Sequence, residues 1–124
     1  MDRLTGAFRV LGHPDRLRLF AILAAQGEGL CVCELVEALG LPQYQVSKHL
    51  RALRRAGLIE SVRAGRWAYY AVAQTHPAQE LSQFLRDELP RAEISAELNR
   101  LRRSLALRVD GRCVLGEGNT RVDG

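Results

Sequence analysis

The chain has 124 residues, of which 47% are hydrophobic and 26% charged, and a net charge of +4. That size suits one compact domain whose remaining apolar surface a partner subunit would help to cover. No apolar run is long enough to span a bilayer, Met1-Asp2-Arg3 does not open like a signal peptide, and three cysteines make no disulfide framework, so a cytoplasmic protein with no membrane partner is expected.

In chain order, Leu4, Phe8 and Leu11 fall at helical spacing, and Gly12 ends that first short helix. His13-Pro14-Asp15 then opens a helix running to about Ala25, with Pro14 in its first turn. Its Leu17, Leu19, Phe20, Ile22 and Leu23 wrap most of the way round, which marks the buried centre of the domain. After a turn at Gln26 to Gly29 come two cysteines one residue apart, Cys31 and Cys33, leading into a short helical pattern from Glu34 to Leu39 that Gly40 stops. Pro42 then admits a second helix, Gln43 to Ala56, ending on Gly57. Two helices so joined are a helix-turn-helix signature with a pair of thiols at its entrance.

In the second of these helices Val46, Leu50 and Leu53 share the core-facing side, while Tyr44, Lys48, Arg51 and Arg55 project oppositely with Ser47 and Arg54 at the edge. Between Lys48 and Arg66 six cations (Lys48, Arg51, Arg54, Arg55, Arg63, Arg66) face one anion, Glu60, so this segment holds +5 and the remainder of the chain minus one. Basicity gathered in one segment is the electrostatic footprint of a phosphate-binding face, and the carboxylates that accompany an ordinary solvated helix face are missing. Past Gly57 the period changes to alternation: Leu58 to Val62, a turn at Arg63-Ala64-Gly65-Arg66, then Trp67 to Val72, a hairpin wing with two arginines at its tip. A helix from Ala78 to Leu89 carries Leu81, Phe84, Leu85 and Leu89 on one side until Pro90, and Ala92 to Leu107 resumes helical spacing. The stretch from Arg108 to Gly124 contains four glycines and reads as a mobile tail that carries Cys113.

The fold expected is mainly α with a small β-hairpin, a winged helix-turn-helix. Its divisions are a DNA-binding and sensor domain over 1–90, an additional C-terminal helix over 91–107 and a flexible tail over 108–124. Gln43, Tyr44, Gln45, Ser47 and Lys48 are the candidates for base edges and nearby phosphates, and Arg51, Arg55, Arg63 and Arg66 for phosphates. On a regular helix positions two apart point about 200° from one another, so Cys31 and Cys33 are expected to reach one ion only if the helix entrance unwinds. Amides at a helix start favour thiolates. A buried structural role stands as the alternative for this pair, and an incidental one for Cys113. His13 and His76, each before a proline, read as caps or turn residues without a metal partner at useful spacing. His49 reads as a satisfied, half-buried histidine.

The order of these pieces resembles the ArsR/SmtB family of winged-helix metalloregulators. The residues that carry the likeness are Leu11-Gly12-His13-Pro14-Asp15-Arg16-Leu17-Arg18, Leu30-Cys31-Val32-Cys33-Glu34-Leu35, Gln45-Val46-Ser47-Lys48-His49-Leu50, Leu53-Arg54-Arg55-Ala56-Gly57-Leu58-Ile59 and Gly65-Arg66-Trp67-Ala68-Tyr69-Tyr70. The resemblance covers roughly residues 4 to 90. It implies a homodimeric repressor, dimerised through the Leu81, Phe84, Leu85, Leu89 stripe with Leu4 and Phe8, that binds an imperfectly palindromic operator and leaves it when an inducer binds. The cysteine motif resembles that of the arsenite- and antimonite-responsive members, which often carry a third cysteine where this chain has Val36. Trivalent arsenic favours three sulfurs, so Cys113 is the candidate third ligand beside Cys31 and Cys33, with As(III) or Sb(III) as inducer. A thiol redox or persulfide sensor, or a zinc- or cadmium-responsive repressor of the same fold, is the alternative, although the Ala78 to Leu107 region has no histidine for a zinc site on the last helix. An enzyme is not expected, since no acid-base set, phosphate loop or nucleophile paired with histidine is present.

Overall fold

The computed structural model describes residues 1–109. Its elements are α1 (Asp2–Leu11), α2 (Pro14–Gln26), α3 (Val32–Leu39), α4 (Gln43–Arg55), β1 (Ile59–Ala64), β2 (Trp67–Val72), α5 (Ala78–Glu88), a 3-10 turn (Arg91–Ile94) and α6 (Ser95–Ala106). Among the described residues no helix is long and apolar enough to cross a membrane.

Helix α2 is the centre, as its all-round apolar surface demands. Leu19, Phe20, Ile22 and Leu23 are each at most 1% exposed, and α1, α4, α5 and β2 pack around them. His13 caps the start of α2 through its ring Nδ1, which accepts from the Asp15 amide at 3.1 Å, and Pro14 follows in the first turn. Helix α4 buries Val46, Leu50 and Leu53 on its inner side. It ends at Ala56, and Gly57, at φ +78°, turns the chain into the wing through the bond from the Leu58 amide to the Leu53 carbonyl.

The wing is tighter than the sequence suggests. β1 and β2 pair antiparallel from Ile59↔Val72 to Ala64↔Trp67, which leaves only Gly65 and Arg66 in the turn, so Arg63 lies within β1 and Arg66 alone sits at the tip. A two-residue turn needs positive φ, which Gly65 supplies at +68°.

Two departures concern the C-terminal half. The continuous helix expected from Ala92 begins as the 3-10 turn, and only Ser95 onward is α-helical. This last helix does not stand apart: α6 packs along α3, burying Leu98 and Leu101, and it is tied down by Arg100 Nε donating to the Ala38 carbonyl at 3.0 Å and by an Arg18–Glu97 ion pair at 2.8 Å. The apolar stripe of α5 also divides. Leu81 and Leu85, with Leu89 just beyond the helix, pack against the core, whereas Phe84 is 58% exposed, alongside Phe8 at 57% and Leu4 at 44% on α1.

The segment before α3 is stitched to the wing. Leu30 and Tyr70 exchange backbone hydrogen bonds at 2.9 and 2.8 Å, and a Cβ on Gly29 would meet Tyr69 Cβ at 2.9 Å. Replacement Gly29→Ala is therefore expected to push these backbones apart and to destabilise the fold by about 1–3 kcal/mol, the usual scale of overpacking, in a urea unfolding titration.

Candidate functional site

The thiol site is built on a helix cap. Cys31 is not inside α3 but at its N-cap, with extended backbone at φ −90° and ψ 167°, and Cys33 lies in the first turn. An N-cap residue is released from helical periodicity, so its side chain swings over the helix end. The two sulfurs stand 3.3 Å apart. The helical-period expectation that the entrance must unwind before both sulfurs can reach one ion is thereby corrected, because Cys31 does not obey that period. Cys31 is buried and Cys33 half-buried, so the pair opens to solvent on the Cys33 side.

The chemistry of the pair follows from that spacing. With metal–sulfur bonds of about 2.3 Å, sulfurs at this separation subtend roughly 90° at a shared ion, whereas a tetrahedral centre holds its sulfurs roughly 3.8 Å apart. The pair places two soft donors where one thiophilic ion could bridge them. Val36, one turn further on, packs against the core and offers no donor. Cys113 lies outside the described residues.

One residue essential to the site was not singled out from the sequence. Glu34 is fully buried, and its Oε1 accepts the Cys31 amide at 3.1 Å while the Cys31 sulfur faces the Glu34 amide, a capping box with sulfur in place of the usual hydroxyl. The countercharge comes from Arg108. Its Nε and Nη2 reach Glu34 Oε2 and Oε1, each at 2.7 Å, and Nη2 also donates to the Gly29 carbonyl at 2.8 Å. The guanidinium lies 5.4 Å from the Tyr69 ring centre. The hydrogen bonds to Glu34 hold its pKa above the ordinary arginine value against desolvation, with the Glu34 charge, Tyr69 and Cys31 acting the same way. The spacing Cys31-x-x-Glu34 is a capping-box signal that the sequence does contain; nothing in it announces Arg108.

The cationic face comes out largely as the sequence proposes. Gln43, Tyr44, Lys48, Arg51 and Arg55 are exposed along α4, Gln45 and Ser47 are half-buried, and Arg63 and Arg66 are exposed on the wing. Tyr44, at 69% exposure, is one of the most exposed large side chains, and its hydroxyl accepts from Gln45 Nε2 at 3.3 Å. Arg66 lies over the buried Trp67 ring at 5.3 Å, which gives the wing tip a supported cation.

A helix-turn-helix with a hairpin wing and a dithiol at the first helix's cap defines a class of winged-helix regulator. A helix-turn-helix domain family matches residues 11–62. The chain is 44% identical over 70 residues to the arsenic resistance transcriptional regulator ArsR1 of Pseudomonas putida, covering 56% of this chain and 52% of that one. It is also 44% identical over 69 residues to a transcriptional repressor SmtB homolog of Synechocystis, covering 56% and 51%. The crystal structure of Mycobacterium tuberculosis Rv0081 superposes with a TM-score of 0.56 at 32% identity, over 69% of this chain and 84% of that one. The chain spans about half the length of these curated relatives. It belongs to the ArsR/SmtB family of winged-helix transcriptional regulators.

Arg108 holds a countercharge against a carboxylate that no water reaches. Its replacement Arg108→Met is expected to destabilise the fold by about 3 kcal/mol or more by chemical denaturation, and Glu34→Leu in the same chain to recover most of that loss.

Proposed function

We propose that this chain is a homodimeric repressor that holds operator DNA with α4 and the wing and releases it when As(III) or Sb(III) is captured by Cys31, Cys33 and Cys113. The observation that carries the reading is the 3.3 Å approach of two sulfurs at a helix cap, half open to solvent, in a chain whose basic surface lies on α4 and the adjoining wing. Likeness to an arsenic resistance regulator supports the choice of inducer, while equal likeness to a transcriptional repressor SmtB homolog does not single it out, and a zinc- or cadmium-type inducer is the second reading.

Cys113 is five residues beyond Arg108, a chain length of at most roughly 18 Å, and Arg108 is fixed to Glu34 beside Cys31. Delivery of the third sulfur within one subunit is thus within reach. The consequence for DNA runs through two connections. The backbone bridge from Leu30 to Tyr70 joins the thiol segment to β2 of the wing, and Gly40 with Pro42 joins α3 to the start of α4. Drawing Cys113 toward the pair pulls on Arg108, whose partners are Glu34 and the Gly29 carbonyl. The cap and the wing strand then shift together, and inducer and DNA favour different conformers, a coupling that is reciprocal.

Gln43, Tyr44, Gln45, Ser47 and Lys48 lie at the N-terminal half of α4, the part of a reading helix that meets base edges, and Arg51, Arg55, Arg63 and Arg66 hold phosphates. A twofold dimer built on the exposed Leu4, Phe8 and Phe84 presents two such helices to an imperfect palindrome. The family is one of regulators, and the site is read as a binding site without turnover.

The test is release from an operator duplex selected from random DNA by the protein itself. Arsenite is expected to displace the parent, while Cys31→Ser and Cys33→Ser each remain bound and Cys113→Ser needs a higher concentration. Release unchanged by serine at both Cys31 and Cys33 would overturn the assignment. On the same duplex Arg51→Ala is expected to weaken binding evenly across sequences and to lower the slope of log affinity against log salt by about 1.

A further inference from the structure

Away from the cysteines the fold brings His49 of α4 up to His13 and Asp15 at the start of α2. His13 stands at the α2 cap and His49 on α4, with ring centres 4.9 Å apart and planes tilted by 49°. Asp15 completes the group: one ligand atom from each of His13, Asp15 and His49 lies within 4.8 Å of the others. The sequence spacing offers His13 no metal partner, but the fold brings His49 within reach. His49, expected half-buried and satisfied, is only 5% exposed, and its Nδ1 is buried with no hydrogen-bond partner among the described residues. Buried polar atoms are ordinarily paired, so an orphaned imidazole nitrogen beside a second imidazole and a carboxylate calls for a ligand.

We propose that His13, Asp15 and His49 form a second metal site, for a borderline divalent ion of the zinc, cobalt or nickel kind, that ties the start of α2 to the DNA-reading helix. Two imidazoles and one carboxylate are the donor set for such ions, whereas soft ions select thiolates and hard ions select oxygen alone. Three protein ligands leave a fourth position for water.

The electrostatics suit ligation by a neutral ring. Burial, then the charges of His13 and Arg16, hold the His49 pKa below its ordinary value, Asp15 opposes them and Lys48 adds to them, so the ring keeps a lone pair at neutral pH. Arg16 and Lys48 also repel a dication, which sets the affinity below that of a site with no cations beside it. A neutral imidazole has one lone pair. If His13 ligates through Nδ1, it gives up its bond from the Asp15 amide, and the α2 cap changes partner when the site fills. Because His49 sits one residue from Lys48 and two from Arg51, filling the site alters the seat of the helix that carries the phosphate contacts. The site uses none of the cysteines and stands independently of the arsenite reading.

The experiment is a Co(II) titration, followed by visible absorption, of the full chain with Cys31, Cys33 and Cys113 all replaced by serine. Serine is a favoured N-cap, so α3 keeps its start. The expected result is one Co(II) per chain with no sulfur charge-transfer band. His13→Asn, which retains an oxygen to cap α2, and His49→Gln should each weaken binding at least about tenfold, the loss that even an outer partner of a metal can cause. Failure of the serine chain to bind Co(II), or undiminished binding in a His13→Asn chain with parental circular dichroism, overturns the proposal.

Discussion

The buried carboxylate of Glu34 is the constraint around which the sensor half of the molecule is arranged. A charge with no access to water must be compensated in place, and Glu34 is compensated by the Cys31 amide on one side and the forked Arg108 guanidinium on the other. Those two partners come from separate parts of the chain, the entrance of α3 and the segment after α6. Because Arg108 also holds the Gly29 carbonyl and lies against Tyr69, the carboxylate fixes the thiol segment, the wing and the C-terminal segment relative to one another.

Sulfur placement is a consequence of that arrangement. Cys31 is held as a cap residue because Glu34 grips its amide, and only a cap residue can turn its side chain toward a neighbour two positions on. The two sulfurs are consequently held 3.3 Å apart, and on the proposed reading the work of inducer capture moves from unwinding a helix to recruiting a third donor. The same reading puts the mechanical step beyond Arg108, whose guanidinium is held by Glu34 and the Gly29 carbonyl.

Much of this was legible in the sequence, and the part that was not has a common cause. The helix-turn-helix, the wing, the buried face of α4 at Val46, Leu50 and Leu53 and the exposure of its cations all follow from local periodicity and from Gly40, Gly57 and Gly65 at the turns. What escaped depends on pairs far apart in the chain. Glu34 and Arg108 are 74 residues apart, His13 and His49 are 36 apart, and the packing of α6 along α3 is a tertiary choice that an amphipathic pattern permits without specifying. The error over the cysteines was of another kind: treating Cys31 as helical assigned it a direction that a cap residue does not have. Its spacing to Glu34 was the available signal.

X-ray absorption at the arsenic edge of the arsenite-loaded protein tests the central claim most directly, since it counts the sulfur atoms around the ion. The account predicts three sulfurs in the parent and two, completed by a lighter atom, when Cys113 is serine. An ion with fewer than three sulfur neighbours in the parent, or a sulfur count that stays the same when Cys31 or Cys33 is removed, would contradict it.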